Sequence, residues 1–211
     1  MATRETRERV LVSSLMLFNR KGENNVSTNS IADEAEISPG NLYYHFRNKN
    51  DIVLELFKRF INELKPLLDV PENATLQAED LWFQLHLTFE LKGRYRFLYR
   101  NLTDLTQRIP SLGRAIRGLL VYERESILAV LSLLEKMGSL QASAQDREVL
   151  ADNLLLAINY WIPFNDIAHQ QAMLDGTAQG KAIARALQLI VPYLHGAEQQ
   201  SFRRLVDQYI Q

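Results

Sequence analysis

Residues 38–49, Ser-Pro-Gly-Asn-Leu-Tyr-Tyr-His-Phe-Arg-Asn-Lys, constrain this chain more than any other stretch. Ser38 can cap a helix. Pro39 then falls at the first helical position, where its missing N–H costs no hydrogen bond. Leu42 and Phe46 are four apart and can take the core side. Tyr43, Tyr44 and His45 cannot all share that face, so the spacing turns most of them outward. Upstream, Ser27 or Thr28 can cap a helix carrying Ile31, Ala32 and Ala35, and Glu36-Ile37 makes the turn between the two. Two short helices joined this tightly read as a helix-turn-helix.

Helical periodicity runs through the rest of the chain, with no hairpin-type turn. A first helix is expected from about Thr3 to Lys21, stopped by Gly22 after the basic pair Arg20-Lys21. The third helix should end near Arg47. Asn48 can cap a fourth, in which Ile52, Leu56, Phe57, Phe60 and Leu64 repeat, closed by Pro66 and Pro71. Leu81, Phe83, Leu85, Leu87, Phe89 and Leu91 alternate at period two, which taken alone predicts a strand. No second strand lies nearby to pair with it, so Leu76–Leu91 reads as a central helix. Further helices are expected from Pro110 to Met137, Asp146 to His169, Lys181 to Leu194 and Ala197 to Ile210, with Gly176–Gly180 as the clearest loop. Pro163 and Pro192 should kink or interrupt their helices. The fold class is therefore all-α. A helix-turn-helix unit covers 1–50, a helix over 51–66 connects, and a larger helical domain covers 67–211.

Composition narrows the function. The 211 residues carry a net charge of −1, so contact with a polyanion has to come from a local patch. There is no cysteine, which removes disulfides, zinc fingers and thiol catalysis and suits a reducing cytoplasm. The first residues are charged and lead into no signal-type apolar core, and no apolar run reaches the roughly 18 residues of a membrane span. The expectation is a soluble, cytoplasmic protein. Catalytic or metal-binding chemistry finds no support: His45, His86, His169 and His195 are scattered, and no Gly-rich phosphate loop or nucleophile elbow is present. His86 and Glu90, four apart, make a surface hydrogen bond more readily than a metal pair.

Double-stranded DNA is the partner that the N-terminal block suits. From Ser38 to Asn50 there are Arg47, Lys49 and His45 and no acid. The two tyrosines add hydroxyl donors on stiff side chains. Gly40 lets the backbone approach closely, and Asn41 can offer its amide to a base edge.

The run Thr28, Ile31-Ala32, Ala35, Ile37-Ser38-Pro39-Gly40-Asn41-Leu42-Tyr43-Tyr44-His45-Phe46 and Lys49 resembles the tetracycline-repressor (TetR) family of bacterial regulators over residues 3–64. The resemblance implies a homodimer, a helical C-terminal domain for ligand binding and dimerisation, and repression relieved by a small molecule. It implies phosphate contacts for Thr28, Tyr43, His45 and Lys49, and a place near bases for Asn29, Pro39, Gly40 and Asn41, with Tyr44 beside them. One position departs. Glu36 stands where the family usually has glycine, so the turn either carries a cost of about 1 kcal/mol or changes shape. Two copies would read half-sites roughly 34–36 Å apart on a near-palindrome.

In the C-terminal region, Ile183, Leu187, Ile190, Val191 and Leu194 form one stripe, and Leu154, Ile158 and Trp161 a matching face, expected to pair across a twofold axis. Trp82, His86, Phe89, Tyr95, Tyr99, Tyr122, Asn159 and Tyr160 are the candidates for an apolar or amphipathic effector, being apolar walls with polar tips. A constitutive or activating regulator without a ligand, and a helical scaffold that has lost DNA binding, remain as alternatives.

Overall fold

The computed structural model describes residues 2–71, 75–169 and 176–210. The described residues form helices, with one isolated antiparallel bridge between Leu140 and Leu194. They divide into two compact units, the first built from residues up to Glu63 together with Arg94–Ile116, the second from Leu64–Gly93 and the residues after Ile116. The sequence reading gives 94–116 to the larger domain; in the structure this stretch packs with the N-terminal helices.

In the first unit, α1 (Ala2–Lys21) presents Val10, Leu11, Leu17 and Phe18 to the core, all essentially sealed from water. A 3-10 turn (Glu23–Asn25) leads to α2 (Thr28–Glu34), α3 (Pro39–His45) and α4 (Lys49–Leu68). Ser27 and Ser38 cap α2 and α3 by accepting from the backbone N–H three residues on. Asn48 caps α4 through the Asp51 N–H at 3.0 Å. The third helix stops at His45, two residues short of the expected end. The fourth runs past Pro66 to Leu68, beyond its expected stop.

Two short helices, α6 (Arg96–Arg100) and α7 (Leu102–Arg108), complete this unit. Buried Asn19 fastens the first of them. Its amide donates to the Arg94 carbonyl at 2.7 Å and accepts from the Phe97 N–H at 3.1 Å, while the Phe18 and Phe97 rings meet at 5.2 Å.

The second unit contains α5 (Ala78–Arg94) up to Gly93, most of α8 (Pro110–Lys136), α9 (Ala144–His169), α10 (Gly176–Ile190) and α11 (Gly196–Ile210). The alternating segment is helical, as expected without a partner strand. α9 begins at Ala144, two residues early, because Ser143 makes the cap: its hydroxyl accepts from the Asp146 N–H at 3.1 Å and donates to the Asp146 carboxylate at 2.7 Å. α9 continues through Pro163 without interruption. Pro192 does interrupt: α10 ends at Ile190 and a 3-10 turn covers Val191–Tyr193.

One expectation is corrected here. Gly176–Gly180 is the first turn and more of α10, not a loop. Gly180 serves close packing instead, since a Cβ there would lie 2.2 Å from the Tyr209 ring of α11. The proposed subunit contacts Leu154, Ile158, Trp161, Ile183, Leu187, Ile190, Val191 and Leu194 are all buried within the single chain. They lie in the second unit's own core, where α10 packs against both α9 and α11. The α9 face left in water carries Val149, Leu156, Tyr160, Phe164 and Ile167, spaced seven, four, four and three apart.

Candidate functional site

Capping and core burial together aim the short helices of the first unit. Leu42 is fully buried and Phe46 nearly so, which fixes the rotation of α3 and turns its other face to solvent. On that face Asn41, Tyr43 and Tyr44 are exposed, with Tyr44 at 78%. Asn29 is exposed on α2. Pro39 and Gly40 are exposed at the start of α3, and a Cβ added at Gly40 would meet nothing within 4 Å. No internal packing therefore requires glycine at that position. Thr28 Oγ1 and Tyr43 Oη share a hydrogen bond of 2.9 Å, so the starts of α2 and the middle of α3 meet at one surface point. His45 is half-buried and sits edge-on to Tyr44, ring centres 5.2 Å apart.

The turn that presents α3 keeps its left-handed residue. Glu36 has φ 53°. Its N–H donates to the Asp33 carbonyl at 3.1 Å, and the Ile37 N–H donates to the Ala32 carbonyl at 3.0 Å. This pair of bonds closes a helix end in the Schellman pattern, with the acid at the position that favours glycine. The departure seen in the sequence thus leaves the turn's shape intact.

Lys49 differs from the other predicted contacts. Its ammonium donates to the Glu23 carbonyl at 2.8 Å and the Val26 carbonyl at 3.0 Å, and lies 3.1 Å from Glu23 Oε1. The other Glu23 oxygen accepts from Arg108 at 2.6 Å, and Arg108 also donates to Asn50. Glu23 is wholly buried, so two cations hold one interior carboxylate where α1, α2, α4 and α7 converge. The residue types around Gly22 carry no sequence signal for this node.

The second unit holds an apolar cavity with about 70 Å³ of free interior. α5 contributes Leu81, Gln84, Leu85 and Thr88, α8 contributes Glu123, Ser126 and Ile127 among others, and α9 and α10 supply Leu154, Ile158, Leu187 and Ile190. Its polar corner is a buried triad. Lys92 Nζ donates to Glu123 Oε1 at 2.6 Å and to Asn159 Oδ1 at 3.0 Å; Asn159 Nδ2 donates to Glu123 Oε2 at 2.7 Å and to the Leu155 carbonyl at 3.0 Å. Burial pushes the Lys92 ammonium below the ordinary lysine range, against the pull of Glu123.

Of the eight ligand candidates, Asn159 alone lines this cavity. Trp82, His86 and Phe89 do share a face of α5, but it is a different one. Trp82 stacks between His86 at 5.1 Å and Tyr209 of α11 at 6.2 Å, and Phe89 is core. Tyr95 and Tyr99 belong to the first unit, packed on Phe60 at 5.3 and 6.1 Å. The Tyr95 hydroxyl donates to Glu63 at 2.8 Å, and burial first, then that bond, pushes its pKa up to about 12. Tyr122 donates to Asp69 with Lys65 over its ring, and Tyr160 points to solvent. The signal that would have found the triad is Lys92 itself, which continues the apolar stripe Leu81, Leu85, Thr88 one turn further.

Among the described residues no group of acids and histidines is arranged to hold a metal, and no helix is long and apolar enough to cross a membrane.

Residues 10–56 match the family described as bacterial regulatory proteins, tetR family, and residues 59–202 match the TetR family described as bacterial transcriptional repressor. A TetR-family transcriptional regulator from Marinobacter aquaeolei VT8, known from its crystal structure, is 36% identical; the match covers 96% of this chain and 98% of that one, with a TM-score of 0.88. The probable HTH-type transcriptional regulator YttP of Bacillus subtilis is 27% identical over 103 residues, 49% of each chain. The biofilm operon icaADBC HTH-type negative transcriptional regulator IcaR of Staphylococcus aureus is 24% identical over 100 residues, 46% of this chain and 54% of that protein. The chain thus spans about half the length of these curated relatives.

Proposed function

Because the chain belongs to the TetR family of bacterial transcriptional regulators, we propose that it is a homodimeric repressor that leaves a near-palindromic operator when a small molecule enters its second unit. The family and the relatives are regulators of transcription, not enzymes. The observation that carries the reading is the outward face of α2 and α3: Asn29, Asn41 and Tyr44 exposed, Gly40 with open space before it, and Thr28 bonded to Tyr43. Asparagine amides and a backbone free to approach suit base edges, and the paired hydroxyls suit a phosphate. In this reading Lys49 is a positioning residue, since its donors are already engaged by Glu23 and Val26.

Dimerisation runs through the solvent face of α9. Val149, Leu156, Tyr160, Phe164 and Ile167 make a continuous apolar stripe with Ile167 83% exposed, and a second copy of the same helix covers it in a self-complementary way.

The cavity is the effector site. Its 70 Å³ is well below the roughly 300–1,000 Å³ of a formed drug-sized site, so entry moves its walls apart. Three wall helices, α4, α5 and α8, also continue along the chain into the first unit. A ligand that prefers the spread walls therefore acts on the segments that carry the reading helices, as unequal binding to two states requires.

The test is selection from random duplex DNA at about 0.15 M salt, a strongly screening condition. An enriched near-palindrome, bound by two subunits, is expected. Enrichment of nothing by a folded dimer would overturn the operator reading.

A further inference from the structure

Resting on the effector reading of the second-unit cavity, we infer that its ligand is an apolar amine, held by its N–H groups against Glu123, and that carboxylates are rejected. The argument is an inventory of hydrogens. Thr88 Oγ1 donates to the Gln84 carbonyl at 2.8 Å, and Ser126 Oγ donates to the Leu68 carbonyl. Asn159 spends both amide hydrogens, on Glu123 Oε2 and the Leu155 carbonyl. Gln84 spends one of its two on the Leu67 carbonyl at 2.6 Å. Apart from Gln84's other amide hydrogen, the polar wall offers lone pairs: two hydroxyl oxygens and a carboxylate.

The charge arrangement points the same way. Glu123 and Asn159 line the cavity, while Lys92, wholly buried, lies behind them. The pair is neutral in sum, and its acid rather than its ammonium lines the cavity. In a water-poor pocket an oriented ion pair acts as a strong local dipole, so a donor or cation is drawn in and an anion is opposed. Each Glu123 oxygen accepts one bond within the triad and keeps a lone pair for a ligand N–H. Apolar side chains from five helices, α4 among them through Leu68, complete the site and take an alkyl or aryl tail.

The purified full-length dimer is tested with hexylamine, hexanol and hexanoate, matched in length and differing in head group, by thermal shift and calorimetry. Hexylamine is expected to stabilise the protein and bind at least about tenfold tighter than hexanoate, a clear step in affinity. Glu123→Gln should lose about that factor for hexylamine and leave hexanol nearly unchanged. Because that variant leaves Lys92 without its acid and can unfold, Ile127→Trp is run beside it. That change fills the cavity from the α8 wall with the triad intact, and should abolish hexylamine stabilisation. Hexanoate binding as tightly as hexylamine, for instance by taking Lys92 from Glu123, would overturn the amine class and leave the effector cavity standing. Binding of none of the three by the wild-type protein overturns both. Undiminished hexylamine binding by Ile127→Trp places the amine elsewhere and also overturns the inference.

Discussion

Lys49, at the first turn of α4, closes on the buried carboxylate of Glu23, 3.1 Å away, while donating to two carbonyls of the segment between α1 and α2. Resemblance alone would make this lysine a phosphate contact. The two roles separate experimentally. A lysine that neutralises a phosphate reduces the salt slope of DNA binding by about 1 when removed. A lysine that satisfies an interior acid and two carbonyls costs stability when removed, on the order of 1–3 kcal/mol. For Lys49→Met we expect the stability loss in urea unfolding, with the salt slope nearly unchanged. A slope reduced by one with full stability would return Lys49 to the DNA contacts.

Glu36 occupies the left-handed position of the turn at φ 53°. An L-residue there carries roughly 1 kcal/mol of backbone cost that glycine avoids. The Glu36 side chain is exposed, so little is lost on replacement. Glu36→Gly should raise the melting temperature by a few degrees, about 2–4 °C for a chain of this size. It also removes an acid from the DNA side of the unit, so operator affinity should rise. A lower melting temperature would mean that glycine's extra freedom in the unfolded chain outweighs the relief.

The helix-turn-helix was legible because every signal there is local: a cap, a proline, a glycine and two apolar residues four apart settle both the helix and its outward face. Lys92 and Glu123 were not, because the triad joins residues 31 and 36 positions apart across three helices, and no local rule links them. The subunit stripes are ambiguous for a related reason. Apolar periodicity tells that a face is buried, not by what, and Leu187 and Ile190 are covered by the chain's own helices. The spacing that does stay in water, Val149 to Ile167, was present in the sequence but interleaved on α9 with the more apolar core face.

That division gives a direct test of the dimer. Phe164→Arg and Ile167→Arg place charge on the exposed α9 stripe, where a partner would bury it unpaired. Sedimentation velocity should show monomers that keep their helical circular dichroism. Leu187→Arg instead buries a charge in the core of one chain, a cost of more than about 4 kcal/mol, and should unfold the second unit. Persistence of a dimer in the double arginine variant would move the interface off α9.

Tyr95 provides a pH test of the first unit's packing. Its hydroxyl proton is held by burial and by Glu63, so its folded pKa stands at about 12, against about 10 in an unfolded chain. For a raised pKa the stabilisation is complete below the unfolded value and is lost as pH climbs through the folded one. Between those two values the unfolded chain releases the proton and the folded chain keeps it, so unfolding becomes steadily easier. Stability measured by denaturant unfolding from about pH 9 to 11 should therefore fall more steeply for the wild type than for Tyr95→Phe, which has no proton to release. Tyr122 also resists ionisation, through its bond to Asp69, and is common to both proteins, so the difference between the two curves isolates Tyr95. Parallel curves would mean that neither burial nor Glu63 holds the Tyr95 proton in solution.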